Sequence, residues 1–468
     1  MFQAAAIAQE TRDRPWLIFA VAASSIFLVL LDTTVLFIVF PAIRRAFPDS
    51  SPATLSWTIN AYTILFAALL VPAGRVADLK GRKLVFVGGL AIFAAGAILA
   101  GLAPSVPWLI AARAIQAVGA ASITPSSLAL SLAAFPTEKR AFLIGSWGAV
   151  SAVAASIGPP LGALIIEGAG WRWVFLGITA PFTLLFTVLA WRVLRHSEAS
   201  GAGRMPDFVS VLLLVAGVAG LAFGIVQSRD WGVTATPTWV VLLLGGVLLA
   251  LFLLDARRKQ TPAIDVRLFD EPNFRNSNIA ILIYGAAFAM MFFGCLLFPQ
   301  QVWHYSLTEA ALAFSPGPLL VIPFAILAGR FASRHGHRAL FVAGGLVFAG
   351  SGAWFYWMAP LFPGYLIGWF PGVAMTGIGV GMLITALTGA AVARLPKPDL
   401  GAGSGANQAI RQIGAVLGVA IVVACVGGGN AGIKEFGYVF MGIMVGGLVC
   451  VLMSITINTR PPSATSSR

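Results

Sequence analysis

Fourteen apolar runs joined by short polar segments leave almost none of this 468-residue chain free to fold in water. They lie near residues 16–41, 55–77, 84–103, 107–134, 141–165, 171–193, 208–228, 237–254, 279–299, 310–331, 339–358, 365–391, 405–426 and 438–457. A helix needs about 20 predominantly apolar residues to cross a bilayer core. Lipid offers no partner to an exposed peptide group, so runs of this length are expected as helices. Composition agrees: 59% of residues are hydrophobic and 10% charged, where a soluble domain carries about 25% charged residues. The expected fold is all-α, a polytopic membrane protein of 14 transmembrane helices with no sizeable soluble domain. Arg12 and Arg14 precede the first run as they would a signal peptide. That run, however, is too long, contains Asp32 and lacks a small-residue cleavage site, so it reads as a retained helix.

The net charge of +13 would point to nucleic acid in a soluble protein. Its distribution says otherwise. With the N-terminus in the cytoplasm, 23 of the 30 basic residues fall in cytoplasmic segments and 5 (Arg44, Arg45, Arg172, Arg229 and Lys434) outside, leaving Arg113 and Arg411 within spans. That asymmetry is the positive-inside rule. It predicts a multi-pass protein of the cytoplasmic membrane with both termini cytoplasmic and no nucleic-acid partner. Cys295, Cys425 and Cys450 each sit in an apolar run, and His196, His304, His335 and His337 show no ligand spacing. No disulfide, metal site or cofactor is expected.

A short basic stretch, Gly74 to Lys83 (GRVADLKGRK), joins the second and third runs. Gly329 to Arg338 (GRFASRHGHR) repeats Gly, Arg, Ala and Gly at the same four offsets, with Arg338 opposite Lys83. Two related halves, each with several apolar spans, are the mark of a secondary transporter whose substrate site lies between the halves at mid-membrane.

Of the 17 acidic residues only Asp32 sits well inside a span. A carboxylate there costs about 2.5–3.5 kcal/mol to insert, so it is expected to face a cavity or a partner. Two readings are open, a proton acceptor and a structural salt-bridge partner. Arg113, in the fourth run, shares a helical face with Gln116 and Gly119. It either pairs with Asp32 or lies shallow and clamps span ends. Arg411 reads as only a turn or two from the cytoplasmic loop, able to snorkel. Gly145, Gly158, Pro159, Pro160 and Gly162 predict a bent, closely packed fifth helix.

These motifs resemble the major facilitator superfamily, and within it the fourteen-span drug:proton antiporters, over nearly the whole chain. The family's loop G-x-x-x-D-x-x-G-R-K/R is met by Gly74, Asp78, Gly81, Arg82 and Lys83, whereas the second copy has Ser333 in place of Asp78. The resemblance implies a conformational latch at Gly74, Asp78, Gly81 and Arg82. The first-helix motif L-D-x-T-V-x-N-x-A-x-P is met by Leu31, Asp32, Thr34, Val35 and Pro41, but Phe37 replaces the usual asparagine and Val39 also departs. Trp57 and Tyr62 match W-x-x-x-x-Y. Arg113, Gln116 and Gly119 match the R-x-x-Q-x-x-G pattern that the family associates with proton transfer. Gly145, Gly158, Pro159 and Gly162 resemble the antiporter motif of helix 5, with Ala154 and Ala163 replacing two glycines. The resemblance divides the chain into an N-terminal six-helix bundle (1–195), an inserted two-helix hairpin with linkers (196–260) and a C-terminal six-helix bundle (261–468).

The expected function is a proton-coupled exporter of lipophilic small molecules or drugs, working by alternating access as an antiporter and conferring antibiotic resistance. Asp32 and Arg113 would couple the proton gradient. With a single membrane acid, neutral or monocationic substrates are expected rather than dications. Trp57, Tyr62, Gln116, Met290 and Met291 offer adaptable surface for substrate, and plain helix packing is their other reading. Export of an endogenous lipid or metabolite is the alternative function. A membrane sensor or scaffold would bring a soluble signalling domain, and an enzyme would need a nucleophile, metal cluster or phosphate loop. No such feature is present in the sequence. The protein is expected to act as a monomer, its partners being protons, a lipophilic small molecule and the lipid bilayer.

Overall fold

The computed structural model describes residues 15–136, 140–194, 205, 207–259, 262–396, 399–426 and 431–457; within 140–152 it describes only the side chains of Leu143, Ser146 and Val150. These residues form fifteen α-helices and no strand. In chain order they are α1 (Pro15–Ala46), α2 (Pro52–Lys80), α3 (Arg82–Gly101), α4 (Val106–Ala133), α5 (Arg140–Ala169), α6 (Ala180–Val193), α7 (Phe208–Trp231) and α8 (Thr236–Arg258). After a 3₁₀ turn at Val266–Asp270 come α9 (Pro272–Val302), α10 (Leu307–Phe314), α11 (Pro316–His335), α12 (Arg338–Leu361), α13 (Phe370–Val392), α14 (Leu400–Val426) and α15 (Ile433–Met453). Ser315 divides the tenth apolar run into α10 and α11, which together make one crossing.

Among the described residues 13 spans are long and apolar enough to cross a membrane, and α5 adds a shorter apolar stretch at Val153–Ala169. The protein is a multi-pass membrane protein. Several helices outrun their apolar runs: α9 begins at Pro272, not near 279, because Glu271 caps it by accepting from the Phe274 N–H at 2.5 Å. The residues on either side of the expected boundary at 195, and both chain ends, lie outside the described residues.

Lipid supplies little hydrophobic drive between helices, so close approach through small residues carries the packing. At Gly89 a Cβ would lie 2.8 Å from Ser122 Cβ, and at Gly119 2.6 Å from the Gly89 carbonyl, which locks α3 against α4. Gly414 and Gly418 let α14 lie on the Leu282 and Ala286 carbonyls of α9. The loop glycines Gly81 (φ 97°) and Gly336 (φ 78°) end α2 and α11 in backbone conformations that side chains rarely adopt. The repeated loops thus share a turn geometry as well as a composition.

α7 packs against α2 and α14, and α8 packs on α7, where Gly217, Gly220, Gly224 and Gly245 bring the two backbones together. α8 is the most peripheral span, with Leu243 70% exposed. Lys259, just past its end, donates to Asp207, the N-cap of α7, at 2.9 Å. Burial works to raise the Asp207 carboxyl, but the bond and charge of Lys259 together with the Ser210 N–H outweigh it and hold the group below its usual carboxylate range.

The first six spans meet the last six at several points. Val71 of α2 would touch a Cβ at Gly405 of α14 at 3.2 Å. Near mid-helix Ser156 Oγ donates to the Ser315 carbonyl (3.1 Å) and Ser315 Oγ to the Ser156 carbonyl (3.4 Å). At the face opposite the Gly81 loop, Glu167 of α5 accepts from the Thr308 N–H (3.2 Å) and hydroxyl (2.6 Å). Between α1 and α9, Phe37 stands 5.2 Å from Phe292 and 5.4 Å from Phe293, and Phe40 stands 5.6 Å from Phe293. Phe314 of α10 extends this cluster, 4.8 Å from Phe292.

Candidate functional site

Asp32 lies seventeen residues into α1, about 25 Å along the helix axis. The adjacent hydroxyls fold back on the helix, Thr33 Oγ1 onto the Val29 carbonyl (2.8 Å) and Thr34 Oγ1 onto the Leu30 carbonyl (3.0 Å). They satisfy themselves locally and leave the carboxylate to partners from other helices.

Those partners come chiefly from α4. Arg113 Nη1 donates to Asp32 Oδ2 at 2.6 Å and to Gln116 Oε1 at 2.7 Å, and Gln116 Nε2 lies 3.4 Å from Asp32 Oδ1. Asp32 is 2% exposed and both α4 side chains 0%. A π-helical turn at Val174–Thr179 leads into α6 and places Thr179 Oγ1 3.5 Å from Asp32 Oδ1. The Tyr62 ring lies 4.2 Å beneath the guanidinium and Phe175 at 5.8 Å, so Arg113 has aromatic faces as well as a carboxylate. Arg113 Nε and Nη2 are buried without a hydrogen-bond partner among the described residues.

This arrangement is a compensated charge pair inside an apolar bundle. Removing either charge leaves the other uncompensated where water cannot repay its solvation.

Helix 5 supplies the close wall behind Asp32. A Cβ at Gly158 would overlap Thr34 Oγ1, and one at Gly162 would lie 2.5 Å from Val35 Cγ1, so both glycines admit α1 next to its acid. Pro159 is buried between them, and Ala154 and Ala163 are fully buried. Gly145 falls on the part of α5 outside the described side chains. Gly162→Leu is expected to destabilise the protein by about 1–3 kcal/mol through overpacking, read as a lower melting temperature in detergent. The same change at the open Gly168 of α5, where nothing lies within 4 Å, is the control.

The remaining sequence candidates are scattered. Gly74 brings α2 to 3.4 Å from Pro125 of α4, measured from a Cβ built on it. Asp78 accepts from Arg82 at 3.1 Å across the Gly81 turn, both side chains well exposed. Trp57 sits beside Phe223 of α7 at 6.3 Å. Tyr62 belongs to the Asp32 and Arg113 cluster. Met290 and Met291 are buried, and a Cβ at Gly442 would overlap Met290, which packs it toward α15. Arg411 differs from expectation: α14 starts at Leu400, so Arg411 lies eleven residues in, about three turns deep. Its Nε donates to Gln408 at 3.3 Å, and no carboxylate pairs with it among the described residues. Thr179, Glu167 and the phenylalanine cluster escaped the sequence reading, because a π-turn and pairings between distant helices leave no periodic signal.

The family model described as Major Facilitator Superfamily matches residues 22–419. The chain belongs to this superfamily. Among its superfamily relatives, the cephamycin export protein CmcT of Amycolatopsis lactamdurans is 34% identical over 91% of this chain and 88% of the relative. The puromycin resistance protein pur8 of Streptomyces alboniger is 31% identical over 89% and 83%. The multidrug resistance protein Stp of Mycobacterium tuberculosis is 30% identical over 85% and 73%. The fold is similar to that of a bacterial homologue of the human lysosomal transporter Spinster in an inward-facing, unoccupied conformation, with a TM-score of 0.68 and 14% identity over 96% of this chain and 99% of that one. An auto-inhibited peptide transporter of the POT family superposes with a TM-score of 0.65, also at 14% identity, over 96% and 98%. Superfamily membership points to a transporter, not an enzyme.

Proposed function

We propose that the protein is a proton-coupled exporter of lipophilic small molecules, of the fourteen-span drug:proton antiporter type. The observation that carries this is the buried Asp32, Arg113 and Gln116 cluster, in a chain whose relatives are named for export of, or resistance to, antibiotics. In this reading residues 1–195 and 261–468 are two six-helix bundles, and α7 and α8 are a hairpin inserted between them. Both termini are cytoplasmic, so the Gly81 loop faces the cytoplasm and the Phe37 cluster seals the outer side. Asp32 takes a proton from outside and loses its charge. Arg113 is then uncompensated, the bundles rock, and release of the proton inside restores the pair as substrate binds.

A proton entering across about 100 mV gains about 2.3 kcal/mol, and each pH unit adds about 1.4 kcal/mol. Export of an endogenous metabolite rather than a drug is the second reading. It is favoured by a relative named a probable actinorhodin transporter in Streptomyces coelicolor, 31% identical over 87% of this chain.

The test is transport in proteoliposomes with an imposed pH gradient and puromycin as the first substrate. Gradient-dependent movement that vanishes with a protonophore is the expected result. Transport indifferent to both the gradient and the protonophore overturns proton coupling.

A further inference from the structure

Arg411 is a second arginine inside a membrane-spanning helix, and unlike Arg113 it has no carboxylate partner among the described residues. Its Nε donates to Gln408 Oε1 at 3.3 Å, which fixes the plane of the guanidinium. Nη1 and Nη2 make no hydrogen bond among the described residues and, unlike Nε and Nη2 of Arg113, are not sealed from open space. The face of α14 that carries Arg411 shows which space that is. Gly414 and Gly418 turn toward α9, and Gly405 turns toward Val71 of α2. At 3.6 residues per turn Arg411 falls between these two contacts, so it looks into the gap between the first six spans and the last six.

Exposure along this face runs in one direction. Val422 and Val426 are buried where α14 lines a cavity with the ends of α1 and α9, on the side opposite the Gly81 loop. Below them Ala415, Arg411 and Gln408 are half-buried, and Ser404 is exposed. The side of α1 that carries Phe37 shows the same gradient: Phe37 packs on Phe292 and Phe293, Leu30 and Phe27 are half-buried, and Ala20 is exposed. Both faces open toward the Gly81 loop, since Val71, near the end of α2, meets Gly405, near the start of α14. They are facing walls of one inner cavity, closed at its far end by the Phe37 contacts.

We propose that Arg411 selects the substrate of the exporter proposed above, taking the carboxylate of amphiphilic anions that enter this cavity from the side of the Gly81 loop. The planar guanidinium fork matches a carboxylate in charge and in geometry. Gln408 acts as a positioning residue through Nε, and Phe27 and Leu30 across the cavity meet the apolar body. Asp32 does not compete for a cationic ligand. It lies five residues from Phe37, about 140° round α1, is 2% exposed and is held by Arg113 at 2.6 Å. A cation is therefore repelled here, and a neutral lipophile enters without the ion pair. The expectation of neutral or monocationic substrates weighed Asp32 alone. This inference rests on the exporter reading only in calling the ligand a substrate.

The experiment is equilibrium binding of 1-pyrenebutyrate to the purified full chain in nanodiscs of phosphatidylcholine, read by energy transfer from tryptophan to pyrene and corrected with empty nanodiscs. Saturable binding is expected, tighter than that of 1-pyrenebutanol by about tenfold or more, the gain of a charge-assisted hydrogen bond. Arg411→Gln is expected to bring the acid down to the affinity of the alcohol and to leave the alcohol unchanged, which also reports that the variant is folded. Arg411→Lys, which keeps the charge and loses the fork, should fall between the two. Arg45→Gln, at the exposed far end of α1, should change neither ligand. Leu30→Trp, which narrows the cavity and keeps Arg411, should weaken both. Equal affinity for acid and alcohol, an Arg411→Gln variant that keeps the difference, an Arg45→Gln variant that loses it, or binding indifferent to Leu30→Trp overturns the proposal. Displacement of the probe by added phosphatidylglycerol overturns the assignment to a free amphiphile in favour of a lipid headgroup. No gradient is involved, so a failure of proton-driven export leaves this binding result standing, and the converse.

Discussion

Asp32→Asn is expected to abolish substrate accumulation driven by a pH gradient. One coupled proton supports about a tenfold accumulation of a neutral solute per pH unit, and the variant should bring this to equality. Asparagine has the shape of aspartate and can still accept from Arg113 Nη1, now 2.6 Å from Oδ2, but it cannot take up a proton at neutral pH. Downhill exchange of labelled for unlabelled substrate needs no proton. It should survive, which separates lost coupling from a misfolded protein. Retained uphill accumulation by Asp32→Asn would remove this carboxyl from the role assigned to it.

Arg113→Met is expected to have the largest effect on stability, about 3–5 kcal/mol, because it leaves a buried carboxylate without its cation. The melting temperature in detergent should fall sharply. Adding Asp32→Asn to Arg113→Met should recover much of the loss, since the double variant buries no net charge. The pair touches through one short ion pair between fully packed side chains. If the double variant is as unstable as the two single effects added together, Asp32 and Arg113 are not energetically coupled. Methionine also gives up the guanidinium's contact with the Tyr62 ring at 4.2 Å, so the recovery should stop short of the starting stability.

The site was partly legible because charge inside an apolar run is costly and therefore conspicuous. Asp32 and Arg113 stand out on that ground alone, and Gln116 follows from its three-residue spacing on the same helix. The close-packing role of Gly158 and Gly162 was legible as a class but not in its target, which is Thr34 and Val35 beside the acid. Phe37 was readable only as a missing amide. In the folded chain it is one of the rings that join α1 to α9. Arg411 was misjudged in depth because the first turns of α14, with Gly401, Gly403 and Gly405, are helical but carry little apolar character.

Hydropathy and the two basic glycine loops suffice to establish an all-helical chain of many membrane crossings, because a bilayer constrains each apolar segment one at a time. Local chemistry needs no knowledge of neighbours. What required the folded chain was every relation between segments: the 2.6 Å contact of residues 81 positions apart, the phenylalanine contacts between α1 and α9, and a cavity lined from α1, α9 and α14. Such relations arise from how helices pack against one another, and a periodic pattern along one helix records which face is apolar but not which partner covers it.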